Sequence, residues 1–311
     1  MLVKIFNSNN LNFYFEQLYL SFKKIIKIKR VQNTVSFFFM PLLVLSSNGD
    51  GSIGSRSASL SHASSCLYDV WSSRNNQGSL GFVKQVAVAA FYENRFFLKE
   101  LSQSGFATVV PIKKTTFSLA YTSLGNQLYK ESHATLGCGM KLNENISVGL
   151  GFDYLHTRIG DIYGQANAYT GSAGFNIKVL PYLNIATHVY NPFRVSMVNY
   201  NGEKVPTIFK FGAQYIFSEK VFLVAEAEKT SAQKLNVKGG IEYNPNSVFY
   251  LRVGGASFPS QASFGIGFNH RGLKIDIGSA YHSVLGVSPQ IGLCYLFGKK
   301  QSEPTSQPQV N

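Results

Sequence analysis

From about Phe82 the chain alternates apolar residues with small or polar ones at a period of two, which is the pattern of strands and not of the 3.6-residue helical repeat. In NISVGLGFDYLH, Ile146, Val148, Leu150, Phe152 and Tyr154 take turns with Ser147, Gly149, Gly151 and Asp153. SFGIGFN sets Phe264, Ile266 and Phe268 against Ser263, Gly265 and Gly267. KLNVKGGIEY sets Leu235, Val237, Ile241 and Tyr243 against Asn236, Lys238, Gly240 and Glu242. Turn residues interrupt the pattern often enough to predict fourteen strands, near 84–95, 104–112, 114–123, 131–142, 145–158, 165–178, 181–190, 206–217, 220–229, 234–243, 248–257, 261–270, 272–283 and 288–297. Short links such as KLNEN, IFSEK and YNPNS join antiparallel neighbours, so the topology is a meander.

A single strand does not say which solvent its apolar parity meets. In PQIGLCYLF, Ile291, Leu293, Tyr295 and Phe297 share one parity and Gln290, Gly292, Cys294 and Leu296 the other, as suits a soluble sandwich or a membrane barrel alike. The whole chain decides. A sandwich turns its second face to bulk water and carries abundant Lys, Glu and Thr there, whereas here that parity is loaded with Gly, Ser and Ala. Small residues suit a crowded interior, and closure removes the edges an open fourteen-strand sheet would expose. Tyr121, Tyr154, Tyr169, Tyr215, Phe217, Tyr243, Phe268, Tyr281 and Phe297 fall near strand ends on the apolar parity, where barrels carry their aromatic girdles. The predicted fold is therefore all-β, an antiparallel transmembrane β-barrel of fourteen strands.

Composition agrees. There are 28 Gly, 25 Phe and 17 Tyr but one Trp, and only 14% of residues are charged, against about 25% in ordinary soluble domains. The net charge of +13 is uneven: residues 1–47 hold six of the 29 Lys and Arg and one of the 16 Asp and Glu, which leaves +8 on the remainder. No basic helix, zinc-finger spacing or ribonucleoprotein motif accompanies it, so nucleic acid is not an expected partner. KKIIKIKR, Lys23–Arg30, precedes the apolar run Val35–Leu45 and the small residues around Ser46–Gly51. That order reads as a secretory signal, since the apolar run is too short to span a bilayer. The expected organisation is extension and signal over 1–50, plug over 51–80, barrel over 81–297 and polar tail over 298–311.

Candidate chemistry is sparse. Cys66, Cys138 and Cys294 form no CxxC pair, with a Cys66–Cys294 disulfide left open. Six scattered histidines lack metal-ligand spacing, and no phosphate loop is present, so no metal, cofactor or enzymatic activity is expected. Asp153 and His156 lie on opposite parities of one strand, which does not suit a catalytic triad. Charges do gather on the inward parity: Lys210, Glu226, Glu228, Lys238, Glu242, Arg252, Lys274 and Asp276. Hairpin geometry pairs Glu226 with Lys238 and Glu242 with Arg252, a ladder of ion pairs filling the lumen.

Two stretches resemble known patterns. Gln290, Gly292, Tyr295 and Phe297 are similar to the C-terminal insertion signal of Gram-negative outer-membrane barrels, which implies contact with the barrel-assembly machinery and outer-membrane lipid. Arg56, the small run Ala58–Ala63, Asp69, Trp71 and NNQGSL at Asn75–Leu80, including Asn76, resemble the N-terminal signature of the PorV/PorQ group, a relative of the FadL-type transporters. YENRF, HVYNPFR and YHSVLGVSPQIGLCYLF add to the likeness, and Gln77-Gly78 departs from it where Pro-Ala is usual. The resemblance implies a fourteen-stranded barrel with an N-terminal plug in the outer membrane of a Gram-negative bacterium. It also implies a secretion-associated, type IX-like or scaffold role with secreted proteins or secretion-system subunits as partners. The alternative is a transporter of small hydrophobic molecules.

Overall fold

The computed structural model describes residues 51–160, 164–198, 204–231 and 233–298. The predicted signal, and the predicted tail beyond Gly298, lie outside the described residues. Fourteen strands close into one antiparallel barrel. They are β1 (Ala87–Asn94), β2 (Ser102–Ile112), β3 (Thr115–Gly125), β4 (Tyr129–Lys141), β5 (Ile146–Ile159), β6 (Gln165–Leu180), β7 (Leu183–Tyr190), β8 (Ile208–Ser218), β9 (Val221–Thr230), β10 (Asn236–Tyr243), β11 (Phe249–Ala256), β12 (Gln261–His270), β13 (Leu273–His282) and β14 (Gly286–Leu296). Each pairs with its chain neighbour, and β14 pairs with β1 from Leu296 opposite Ala87 to Gln290 opposite Glu93. Every backbone donor along the sheet thus has a partner strand, the condition a sheet must meet in hydrocarbon.

Tight turns join the strands at the end where β1 begins and β14 finishes. At Arg271-Gly272 both residues have positive φ, 50° and 91°, the geometry whose twist matches a two-residue hairpin. Longer connections, 95–101 and above all 191–207, lie at the opposite end. Short turns mark the periplasmic rim of such barrels and long loops the outer rim.

Burial settles the parity. Phe264 is 59% exposed, Leu136 58% and Phe152 53%, while their neighbours Ser263, Thr135 and Asp153 are buried inside the barrel. Tyr295 and Phe297 stand outward with ring centroids 4.8 Å apart, whereas Gln290 is buried inward. Among the described residues no helix is long and apolar enough to cross a membrane; the barrel crosses with its strands.

The lumen is filled by the segment from Gly51 to Phe82, which has one helical turn at Ser55–Ala58, another at Ser72–Asn75 and a 3-10 turn at Gln77–Phe82. Its apolar residues pack on two parts of the wall. Ile53, Val70, Trp71 and Leu80 join Ala87, Ala89, Phe91, Ala107 and Val109, and Leu60, Ala63 and Leu67 join Val224. The disulfide left open by the sequence is absent. Cys66 and Cys294 are both unbonded thiols, because Cys66 faces the Asn184 carbonyl on β7 while Cys294 sits on β14 opposite Ala89 and Lys274.

Candidate functional site

Glycines on the inward parity form the plug's seat. A Cβ at Gly240 would lie 2.8 Å from Leu60 Cδ2, one at Gly254 2.7 Å from the Leu60 carbonyl carbon, and one at Gly292 2.5 Å from Ser55 Oγ. Gly149 faces the backbone of Gln77, Gly265 and Gly278 face Ser59, and Gly78 lies against Gly174 with 2.5 Å between its would-be Cβ and the Gly174 carbonyl carbon. Such distances leave no room for a side chain, so these strands carry glycine where the plug's backbone touches the wall. Gly149→Val is expected to displace Gln77 and cost about 1–3 kcal/mol, whereas Gly239→Ala, whose Cβ meets only Val224 O at 3.4 Å, should be neutral. Emission from Trp71, the only tryptophan and buried, checks this: a red shift in the first variant and none in the second.

The inward charges meet the plug as well as each other. Glu242 is opposite Arg252 and Lys238 opposite Glu226 in the register. Arg252 donates to Glu242 at 2.7 Å and to Asp276 at 2.6 Å. From the plug, Arg56 donates two bonds to Glu242, at 2.8 and 3.0 Å, and a third to Asp69 at 3.2 Å. The chain Asp276–Arg252–Glu242–Arg56–Asp69 therefore runs from β13 across β11 and β10 into the plug. A second set joins Lys238 to Glu228 at 2.7 Å, with Lys210 to Glu228 at 3.6 Å and Lys238 to Glu226 at 3.7 Å. It too ends on the plug, since Glu226 accepts the Ser64 and Ser65 amides and Lys210 donates to Ser52 Oγ at 3.0 Å. Lys274, opposite Asn269 and Cys294, joins neither set.

Polar side chains staple the plug internally. Asn75 accepts from the Ile53 amide and donates to its carbonyl. Asn76 accepts from Gly78 N and donates to the Ser65 carbonyl, and Asp69 accepts from Trp71 N. Trp71 stacks edge-on against Phe91 at 5.3 Å. Burial pushes the His62 imidazole down to about 4, so it is neutral in its seat. Gln77, the departure from Pro, earns its place through its amide: it donates to the Ser73 carbonyl and faces His188 Nε2 at 3.1 Å. Hairpin counting reaches the wall pairs but misses every wall-to-plug bond; the one signal for them was the glycine-rich inward parity.

Asp153 meets His133, not His156. His133 Nε2 is 2.8 Å from Asp153 Oδ1, and Thr135 and Ser172 also donate to that carboxylate. Among the described residues the second ring nitrogen, Nδ1, is buried with no hydrogen-bond partner, so this pair lacks the nucleophile–base contact of a triad. Nor could three or more His, Cys, Asp or Glu hold a metal among the described residues.

One layer farther toward the outer rim the lumen turns apolar. Leu155, Tyr190 and Ile208 stand two residues beyond Asp153, His188 and Lys210, and with Ala166, Ala168, Met197 and Val205 they form a buried cluster. Asn191, at φ 51°, ties the described ends of the connection between β7 and β8 to each other and to the wall: it donates to the Val205 carbonyl and accepts from Thr170 Oγ1, both at 2.7 Å.

A closed fourteen-strand antiparallel barrel whose N-terminal segment occupies the lumen defines the class: the fold is that of FadL-type outer-membrane barrels. The CymD monoaromatic hydrocarbon channel is similar with a TM-score of 0.64 at 11% identity, covering 82% of this chain and 100% of its own. The Ralstonia pickettii toluene transporter TbuX gives 0.58 at 12% identity, with 82% and 100% covered, and a Pseudomonas aeruginosa FadL homologue 0.58 at 11%, with 79% and 97%. No family model and no curated relative matches the sequence.

These likenesses correct the secretion-associated or scaffold role expected from the sequence. Similar solved barrels include a monoaromatic hydrocarbon channel and two toluene transporters, which favours the alternative reading. The physical reason the signature misled is its location: Arg56, Asp69, Asn75 and Asn76 spend their hydrogen bonds inside the barrel, so the motif reports a seated plug and not a surface for client proteins.

Proposed function

We propose that the protein is an outer-membrane channel of a Gram-negative bacterium that admits small hydrophobic molecules, with no enzymatic step. The observation that carries the reading is the apolar outer mouth. Leu155, Tyr190, Met197, Val205 and Ile208 form a buried apolar cluster at the outer end of the lumen, where a channel for ions or sugars carries polar groups. Apolar solute gains free energy at such a surface in proportion to the area it covers. The plug beneath closes the aqueous route, so solute and not bulk water is selected. The hydrocarbon cargo of the similar barrels supports the same choice, and placement in the PorV/PorQ branch of the superfamily, resting on Arg56–Leu80, belongs to the same proposal.

The test is uptake of radiolabelled toluene by cells carrying the full chain in their outer membrane. Uptake should exceed that of cells without it, and Leu155→Asp with Met197→Asp should bring it back toward that background. Conductance in a planar bilayer should be low for the intact protein and rise when Gly54–Leu80 is deleted. Folded, membrane-inserted protein with no toluene uptake above background would overturn the reading.

A further inference from the structure

The lipid-facing side of β4–β6 changes character with height. On β5 the outward residues run Leu150, Phe152, Tyr154, His156 and Arg158, from the middle of the wall to the outer rim. Beside them β6 presents Tyr169, Asn167 and Gln165, and β4 presents Leu136, Ala134, Ser132 and Lys130. Tyr154 and Tyr169 pack with ring centroids 5.1 Å apart and form this sector's girdle. Immediately above them Asn167 accepts from Tyr154 Oη and lies 2.7 Å from His156 Nδ1. Above that polar shelf the register sets Lys130 directly opposite Arg158.

Two cations facing each other across a strand pair repel and destabilise the pair. Neither has a carboxylate partner among the described residues. The outward residues of β4, β5 and β6 include no Asp or Glu; Glu131 points inward, bonded to Tyr129. Arg158 donates one long bond, Nη2 to the Gln127 carbonyl at 3.4 Å, leaving the rest of its planar fork to the solvent. An anion bound between the two residues would relieve the repulsion, and a guanidinium fork with an adjacent ammonium matches a phosphate.

Height identifies which anion. Arg158 lies four residues past Tyr154, about 13 Å along the strand and roughly 10 Å along the membrane normal at usual barrel tilt. Tyrosine rings mark the interface, so the cation pair stands in the headgroup layer, on the outer side and facing lipid. A soluble anion would have no reason to be met there; a lipid phosphate is held at that level by its own acyl chains.

We propose that Lys130 and Arg158, with the His156–Asn167–Ser132 shelf below them, bind the phosphate of an outer-leaflet lipid headgroup. The site is on the outside of the barrel and does not depend on the transport reading. Its function is to order the rim around β4–β6, the strands that carry the polar lumen cluster at His133 and Asp153.

The experiment is native mass spectrometry of the purified full chain in detergent, incubated in parallel with diphosphoryl lipid A and with the same lipid after removal of both phosphates. The wild type should retain the phosphorylated lipid and largely lose the other. Lys130→Gln with Arg158→Gln should lower retention roughly tenfold, while Lys229→Gln, which removes an outward cation elsewhere on the same rim, should leave it unchanged. Equal retention of the two lipids by the wild type, which needs no variant to fold, would overturn the proposal. So would a double variant that binds like the wild type, or a Lys229→Gln protein that loses the lipid equally.

Discussion

Glu242→Gln will unseat the plug while leaving the barrel closed. Glu242 accepts three hydrogen bonds from two guanidinium groups, two from Arg56 and one from Arg252, and its side chain is only 5% exposed. Removing its charge leaves Arg56 with Asp69 alone and Arg252 with Asp276 alone, the two cations facing each other with no carboxylate between them. Breaking one member out of a buried ion set costs about 3–5 kcal/mol, because the partners' desolvation is no longer compensated. The barrel wall is held by backbone ladders that the substitution does not touch, so the loss falls on the contact between wall and plug. The expected signs are cleavage of Gly51–Phe82 by added protease in detergent, a red shift of Trp71 and increased bilayer conductance, with heat-modifiable migration unchanged. Arg56→Met in the same background should restore part of the loss, since it removes one of the two facing cations; neighbours in one network are not additive. A Glu242→Gln protein with a protected plug and wild-type Trp71 emission would contradict the latch.

The second large effect concerns the outer face. Phe264 lies mid-strand on β12, 59% exposed and flanked by Val253 on β11. Arginine there would be carried into the hydrocarbon, at about 2–4 kcal/mol near the midplane. Phe264→Leu keeps the apolar surface and should fold as the wild type does. Equilibrium unfolding by urea in lipid vesicles distinguishes them. If Phe264→Arg proved as stable as Phe264→Leu, the outward face would not be in lipid and the barrel would not span a membrane.

The two experiments probe parts of the molecule that were unequally legible. Strands announce themselves locally: Ile146, Val148, Leu150 and Phe152 alternate with Ser147, Gly149 and Gly151, and that contrast survives whatever lies around it. Register between adjacent strands is nearly as local, because a short turn fixes which residues face each other, as Glu226 and Lys238 do. The lipid-facing parity is not local. It emerges only when many strands show small residues on the other face, since one amphipathic strand suits either solvent.

The amino-acid sequence alone thus determined the strands, their antiparallel order and, summed along the chain, which face meets lipid; these follow from period-two contrast and turn chemistry within a few residues of each other. How the lumen is used follows only once the barrel closes. Arg56 and Glu242 are 186 residues apart, Ser61 and Ser263 202, and the apolar mouth draws Met197 and Val205 out of a loop onto Leu155 and Tyr190. No turn or propensity rule connects such residues. They meet because closing the sheet brings the inward parities of all fourteen strands around one segment, so a motif that looked like an address for partners became the barrel's own interior.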